Sequence, residues 1–477
     1  MKKEKVDKTV VFSKYSIPKA FVTLCVPTVI SQIVMIIYNL ADTVYLGRIG
    51  EQSEVAVAAL GIVLPIFVIM MAIANLFGVG GASVIARFLG AKQPDKARST
   101  FAFCFYGGLL GSIIYILILV IFHEPLIYLV GGSEETYDLV YRYMVITMMI
   151  GAIPTIMNAV LGHLVRSTGA SIHASIGLML GGVLNIILDP IFMFVLMKGH
   201  ELEGAAIATA LSNAISLIYF LVYLLLTKKN IYTYTLNIKD IKFKQGIGKE
   251  VILIGIPAAL STTLAMVSNI FANVLINTPV NISALAGLNV AKKANTIAFN
   301  ILMGLTQGML PFIAYNYASN DVARRRAGIK ALYLVAGLFG TFMMIFYLVF
   351  TKFIITAFIP GNDVAIDYGV DFLHGLALAV PLCALTFSTS TIFQAIGKKS
   401  YSLILSILRK GLLDIPLMYT FKYLIGFGIT GVILATPVAE MLSVGVAAFL
   451  LFKARKLIDS KARMINEKNE KEELSNE

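Results

Sequence analysis

Apolar residues run along this chain in long blocks separated by short polar stretches, and the blocks are too long for strands. A hydrocarbon core about 30 Å thick takes roughly 20 helical residues to cross. Twelve runs reach that length: 21–45, 55–77, 101–122, 143–164, 172–197 and 204–226, then 251–276, 285–310, 329–350, 368–396, 403–423 and 429–452. A β-barrel would need short alternating segments, which these runs rich in Leu, Ile and Met are not. The blocks also repeat. At an offset of about 228 residues Pro27 meets Pro257, Asn39 meets Asn269, Gly80 meets Gly308, Arg98 meets Arg326, Gly169 meets Gly397, Pro190 meets Pro416, Gly204 meets Gly431 and Thr209 meets Thr436. Near-constant spacing over most of the chain marks a duplication, a hallmark of transporters. Each half holds six spans, so both halves enter and leave on one side. The pattern therefore predicts an all-α membrane protein of twelve transmembrane helices in two parallel six-helix repeats, an N-lobe and a C-lobe, around a central cavity.

Charge tests the count, because Lys and Arg are retained in short cytoplasmic loops. Thirty of the thirty-nine basic residues fall in the N-terminal segment, every second connection and the tail. Five lie in the opposite connections (Arg48, Arg142, Lys198, Lys352, Lys422), and Lys292, Lys293, Arg409 and Lys410 lie within spans. One helix more or fewer would scramble this asymmetry, so both termini are expected in the cytoplasm and the protein in the cell membrane. The net charge of +12 is thereby mostly topology, and a nucleic-acid partner is not needed to explain it.

With 58% hydrophobic and 14% charged residues, lipid is the main solvent and the bilayer the main partner. The first span is too long for a cleavable signal and is expected to stay. Cys25, Cys104 and Cys383 all fall in spans without paired spacing, so no disulfide or metal site is expected. The domains read as an N-terminal cytoplasmic segment 1–20, an N-lobe 21–226, a Lys-rich cytoplasmic linker 227–250, a C-lobe 251–452 and a charged cytoplasmic tail 453–477, expected to be disordered from Asp459 onward. A monomer is expected.

Ionisable groups in lipid are costly and mark function. Asp42 ends span one with Asn39 three residues before it, and Asp189 in span five follows Asn185 by four, so each carboxyl shares a helix face with a carboxamide. Thr209 and Asn213 are likewise four apart on span six. Converging, these faces would make an oxygen-rich pocket for a proton or a small hard cation. The repeat supports function here: Asp42 is matched by Ala272 and Asp189 by Ile415, beside Asp414, so scaffold positions recur while these carboxyls do not. The bland alternative is helix capping, or satisfaction of backbone freed by Pro190. In the second half Glu440 stands where Asn213 stands in the first, and Asp414 can pair with Arg409 or Lys410. Asp371 and His374, three apart at the outer end of span ten, read as a solvated pair or a proton relay. Gly107 with Gly111, Gly177 with Gly181, and Gly304 with Gly308 have the spacing of close helix packing.

Several strings, taken in order, carry a resemblance covering about 18–452: Asn39-Leu-Ala-Asp-Thr-Val-Tyr-Leu-Gly-Arg-Ile-Gly50, the run from Gly78 to Ala91, Arg166-Ser-Thr-Gly-Ala170, Asn185-Ile-Ile-Leu-Asp-Pro-Ile-Phe192, and Gly308 to Tyr317 followed by Arg324-Arg-Arg326. The chain resembles the multidrug and toxin extrusion (MATE) family, in its prokaryotic branch with acidic residues in the N-terminal half. The resemblance implies proton coupling at Asp42 with a polar cluster of Asn185, Asp189 and Thr209. Asn39, Asn213, Glu440, Asp414 and Asp371 are further substrate or coupling candidates. The Na-coupled branch places carboxylates in spans seven and eight, where this chain has none in span seven and Lys292 and Lys293 in span eight.

The resulting expectation is a non-enzymatic antiporter that exports amphipathic, often cationic, organic molecules in exchange for H+, less favourably Na+, by alternating access, with no cofactor. A flippase for a lipid-linked saccharide is the alternative. An intramembrane enzyme is disfavoured, since no His-Glu-x-x-His or Gly-x-Ser-x-Gly string occurs. The paired Pro27 and Pro257 mark places where spans one and seven can bend. Replacing Pro27 with Ala is expected to slow transport, measured as dye efflux from vesicles; unchanged turnover would exclude bending there.

Overall fold

The computed structural model describes residues 8–46, 53–242, 246–276, 282–359 and 361–474, with side chains at all of these except 43, 46, 53–58, 282 and 456–474. Residues 1–7 of the expected N-terminal segment, 48–50 of the span-one motif, 243–245 of the linker and 475–477 of the tail lie outside the described residues.

Twelve helical runs follow one another: α1 Ile17–Leu46, α2 Ser53–Gly90, α3 Pro94–Leu129, α4 (Glu134–Met144, Val145–Ile150 and Ala152–Ser167), α5 (Ser171–Ile191 with Phe192–Leu196), α6 Glu201–Thr227, α7 Ile247–Ile276, α8 Ile282–Ala318, α9 Val322–Phe358, α10 Asp363–Ala395, α11 (Lys399–Ile407, Leu408–Asp414, Ile415–Tyr419 and Thr420–Leu424) and α12 Gly428–Leu474. Ten are long and apolar enough to cross a membrane, and α4 makes an eleventh, bent by 46°. The twelfth, α11, alternates α-helical and wider π-helical turns and carries Arg409, Lys410 and Asp414 at its middle. No strand occurs among the described residues.

Several helices run further than the hydropathy blocks predict, two of them by more than ten residues at one end. Helix α2 continues past Phe77 to Gly90, because the motif from Gly78 onward packs as helix against other spans. Helix α12 continues through the charged tail to Leu474, which corrects the expectation of disorder: 453–474 holds no Gly or Pro and is rich in Lys, Glu, Ala and Leu, all good helix formers. The linker is also ordered where described. Arg98 of α3 pairs with Asp240 at 3.0 Å, Tyr106 donates to the Leu236 carbonyl at 2.7 Å, and the Lys242 N–H donates to Ser99 at 2.9 Å.

Helices α1 to α6 pack with one another, as do α7 to α12, and the lobes meet through α1 against α8 and α2 against α7 and α8. These crossings are close because they are made at glycine. A Cβ on Gly255 would overlap the Leu76 carbonyl and one on Gly80 would overlap that of Val251; one on Gly304 would lie 3.0 Å from Val29 Cα, and one on Gly308 3.0 Å from Cys25 Cα. Gly80 and Gly308 are repeat partners, and the spacing that pairs Pro27 with Pro257 pairs Cys25 with Gly255. The contact of α2 with α7 is thus the contact of α8 with α1, rotated about the axis between the lobes.

All these contacts lie toward the end of the bundle that carries the N-terminal segment, the α2–α3 turn, the start of α7 and the α10–α11 turn. There Arg87 of α2 pairs with Glu250 of α7 at 2.7 Å, and Ser83 donates to the Gln394 carbonyl of α10 at 2.6 Å. The N-terminal segment adds a strap. The Phe12 carbonyl accepts from Asn316 of α8 at 3.1 Å and from Arg324 of α9, while the Lys8 carbonyl sits against Gly169 after α4. Gly169 (φ +91°) and its repeat partner Gly397 (φ +73°) both take the left-handed conformation that ends a helix. Toward the opposite end Asn39, Asn269 and Lys293 are exposed.

Gly255→Val should prevent the close approach of α2 and α7. Cys25, 1% exposed against α8, should then react with a maleimide at least tenfold faster, whereas Gly337→Val, with open space around its Cα, should leave the rate unchanged. Equal rates in all three proteins would contradict the contact.

Candidate functional site

Asp189 and Asn185 occupy one face of α5 and are 1% and 3% exposed. They lie there because Pro190 sits inside α5 and opens it. Proline has no N–H for the carbonyl four residues back, and that carbonyl, Ile186, instead accepts from the Tyr45 hydroxyl of α1 at 3.5 Å. The following π-helical turns Phe192–Leu196 carry the distortion to the start of α6, where Gly204 admits the Phe192 carbonyl. Such turns frequently accompany functional sites. Gly182 lets α1 lie against α5: a Cβ there would come 3.0 Å from Val34 and 3.3 Å from Tyr38.

The predicted faces converge. The Asn185 carboxamide donates to Asp189 Oδ1 at 3.0 Å and to Thr209 Oγ1 of α6 at 3.1 Å. The carboxyl groups of Asp42 and Asp189 lie within electrostatic reach of each other. Asp42 Oδ1 and Asp189 Oδ2 are buried and receive no donor from the rest of the protein, and the Asn185 carbonyl oxygen is likewise without one. Among the described residues no Lys or Arg pairs with either carboxyl. The cluster therefore presents unsatisfied oxygens with no fixed positive charge, a donor set that a proton or a small cation completes. Groups of three or more His, Cys, Asp or Glu fit to hold a heavier metal are absent among the described residues.

The remaining predicted residues fall around this pocket or away from it. Asn213, one turn from Thr209, accepts from Asn158 at 3.4 Å, and the Asn158 carbonyl oxygen accepts from Ser216 at 2.8 Å, forming a polar chain between α4 and α6. Asn39 donates to the Met35 carbonyl at 2.9 Å and stays exposed. Asp371 is exposed near the outer end of α10, two residues and about 200° from Gly369, which packs on α8. It joins neither cluster. Sequence reasoning missed Tyr38 and Tyr143, both within electrostatic reach of Asp42 and Asp189. Tyr38 was findable, standing four residues before Asp42 on one face; Tyr143 arrives through the bend in α4 and has no local signal.

The C-lobe holds the rotated version of the pocket with different contents. Asp414, fully buried, accepts from Ser268 at 2.6 Å, from Thr436 at 2.9 Å and from Lys410 at 2.9 Å. Thr436 is the repeat partner of Thr209. Glu440 pairs with Arg409 at 3.4 Å and accepts from Thr386 at 3.0 Å, and the Arg409 guanidinium lies 4.2 Å from the Phe387 ring. Of the alternatives open in the sequence, Lys410 takes Asp414 and Arg409 takes Glu440. Here each buried carboxylate has its own tethered cation.

This geometry matches what the chain is similar to. The MatE family model matches residues 27–191 and 257–420, one stretch in each lobe. The multidrug export protein MepA of Staphylococcus saprophyticus is 31% identical over 459 residues, spanning 95% of this chain and 98% of the relative. MepA of Staphylococcus aureus is 30% identical over 446 residues, spanning 93% and 95%. A solved structure described as the outward-facing conformation of a multidrug resistance MATE family transporter superposes with a TM-score of 0.86 at 24% identity, covering 96% of this chain and all of that one, and shows the same fold. With one stretch of each repeat matched, in order and together over more than half of the chain, the chain belongs to the MatE family, the multidrug and toxin extrusion transporters.

Proposed function

We propose that this protein is a secondary active multidrug efflux transporter that exchanges amphipathic organic molecules for protons across the cell membrane. The observation that carries the reading is the Asp42–Asp189 pair, buried in the N-lobe with no fixed cation beside it. Each charge crossing 100 mV of membrane potential contributes about 2.3 kcal/mol, so a group that must be neutralised before the lobes rearrange can draw on that energy. Asp42 and Asp189 share the proton, Asn185 orients Asp189 through its 3.0 Å hydrogen bond, and Thr209 holds Asn185. Two neighbouring acids without a fixed cation support H+ as the coupling ion, since one proton relieves their mutual repulsion. The names of the MepA relatives support multidrug export as the task.

Alternating access fits the two-fold arrangement of inter-lobe contacts. Rocking one lobe against the other would exchange the inner contacts at Gly80, Gly255, Gly304 and Gly308 for outer ones, closing the side on which Lys293 and Asn269 are now exposed. The Arg87–Glu250 pair and the Lys8–Tyr15 strap then act as fastenings of the inner end.

The deciding experiment is substrate-induced proton release from purified protein in weak buffer. Release is expected from the wild type, at least tenfold less from Asp42→Asn, and equal release from both would refute the assignment. Arg87→Gln removes an ion pair between a mostly buried guanidinium and a half-exposed carboxylate, worth about 1 kcal/mol, so the inner end should open a few-fold more often. Maleimide labelling of Cys25 should speed up by that factor, with Cys104 and Cys383, buried within single lobes, as internal controls.

A further inference from the structure

Two lysines sit in the middle of the C-lobe, and the coupling pocket accounts for neither. Lys292 is held: its ammonium donates to Asn273 Oδ1 at 2.9 Å and to the Asn269 carbonyl at 3.3 Å, on the neighbouring α7. Lys293, one residue on, is exposed, and among the described residues no hydrogen bond or ion pair engages its ammonium.

Its exposure is to the cleft and not to lipid, on two grounds. First, α8 is the most enclosed of the spans, 67% of its apolar window being buried, with α1, α2, α9 and α10 packed around it. Second, helical phase fixes the direction. Lys293 lies 11 residues from Gly304, within about 20° of the same face, and Gly304 is the point where α8 touches Val29 of the N-lobe. Moving about 16 Å along α8 from that contact, toward the opposite end of the bundle, brings the same face to Lys293. Thr296, Asn300 and Gln307 share the face, making a polar stripe along the span. The opposite face is Ala291, Ala294 and Ala298, all buried. The buried carboxylates of this lobe are spent on Arg409 and Lys410, and Asp371 points away from α8, so the wall offers a positive charge with no acid to answer it.

We propose that Lys293, with the polar stripe of α8 beside it, is a binding site for an anionic group, a carboxylate or phosphate, carried by the transported molecule or by a lipid entering the cleft. An unpaired ammonium in a span is costly, and an arriving anion answers it with a charge-assisted hydrogen bond. The acidic pair and the amine stand on facing lobes, so the cleft suits zwitterionic amphiphiles as well as simple cations. This deepens the efflux reading and rests on it, since the cleft must be the substrate route.

The test uses equilibrium binding to purified full-length protein in phosphatidylcholine nanodiscs, followed by fluorescence anisotropy, with two probes: rhodamine B, whose free carboxylate makes it a zwitterion, and its ethyl ester, a cation. Lys293→Gln should weaken rhodamine B about tenfold and leave the ester within twofold, and Lys293→Arg should restore rhodamine B. Loss of both probes together, or of neither, overturns the site. Exchanging part of the phosphatidylcholine for phosphatidylglycerol separates the sources. Competition against rhodamine B in the wild type that disappears in Lys293→Gln assigns the amine to lipid phosphate, and no competition assigns it to the transported molecule. Proton-driven efflux of the ester from vesicles is read separately: its absence in the wild type refutes the transport reading, while a binding result of either sign still decides the anion site.

Discussion

A carboxylate taken out of water must be answered by a positive charge or a proton, and the two lobes of this protein answer theirs differently. In the C-lobe Lys410 reaches Asp414 and Arg409 reaches Glu440, so each acid carries its counterion on the same or the next helix. Removing one partner from such a buried pair typically costs about 3–5 kcal/mol, which makes these contacts a permanent lock. In the N-lobe the equivalent position holds Asp189 with Asn185 and Thr209, and the partner is a second acid, Asp42. What the C-lobe keeps tethered, the N-lobe would, in the proposed exchange, borrow from solution. On that proposal the N-lobe is the half whose state depends on the medium.

The duplicated scaffold explains how a difference so local can move the whole molecule. The lobes touch through the same crossing used twice, Gly80 on Gly255 and Gly308 on Cys25, with the backbones too close for a side chain between them. Contacts of this kind depend on shape and hold little polar adhesion, so they can part and re-form without stranding buried polar groups. The polar adhesion sits at one rim, in Arg87–Glu250 and the carbonyls of the N-terminal strap, where water is at hand to replace what is broken. The pocket rides on α1 and α5, and α1 is itself half of one crossing. A change of protonation at Asp42 thus acts on a helix that also forms the lobe boundary.

Much of this was legible in the sequence, for physical reasons that also set the limits. Lipid imposes long apolar helices, so their number followed from hydropathy. The carboxyl–carboxamide pairs at three- and four-residue spacing announced the pocket, because a helix puts such pairs on one face. Duplicated glycines announced close crossings, though not that Gly80 and Gly308 would form the seam between lobes. Less legible were features that need two elements at once. Whether Asp414 takes Arg409 or Lys410 depends on the π-helical turns of α11, and Tyr143 comes to the acids only through the 46° bend of α4. The tail was misread because low hydrophobicity was weighed above helix propensity, and the 453–474 stretch continues a helix already nucleated in the membrane.

The asymmetry of charge bears on why the duplication has not stayed symmetric. Two identical lobes with borrowed protons would each carry a switch, and the rocking motion would need both to agree before either side opened. Filling one pocket with Lys410 removes that requirement and leaves a lobe whose electrostatics are constant through the cycle. A constant wall is also the better place for recognition, since its affinity does not change when the coupling group titrates. Lys293 stands on that wall, on the helix that forms the other crossing, facing a lobe whose charge alternates. One lobe then supplies the variable field and the other the fixed one, a division of labour that duplication permits and that a single six-helix bundle could not provide.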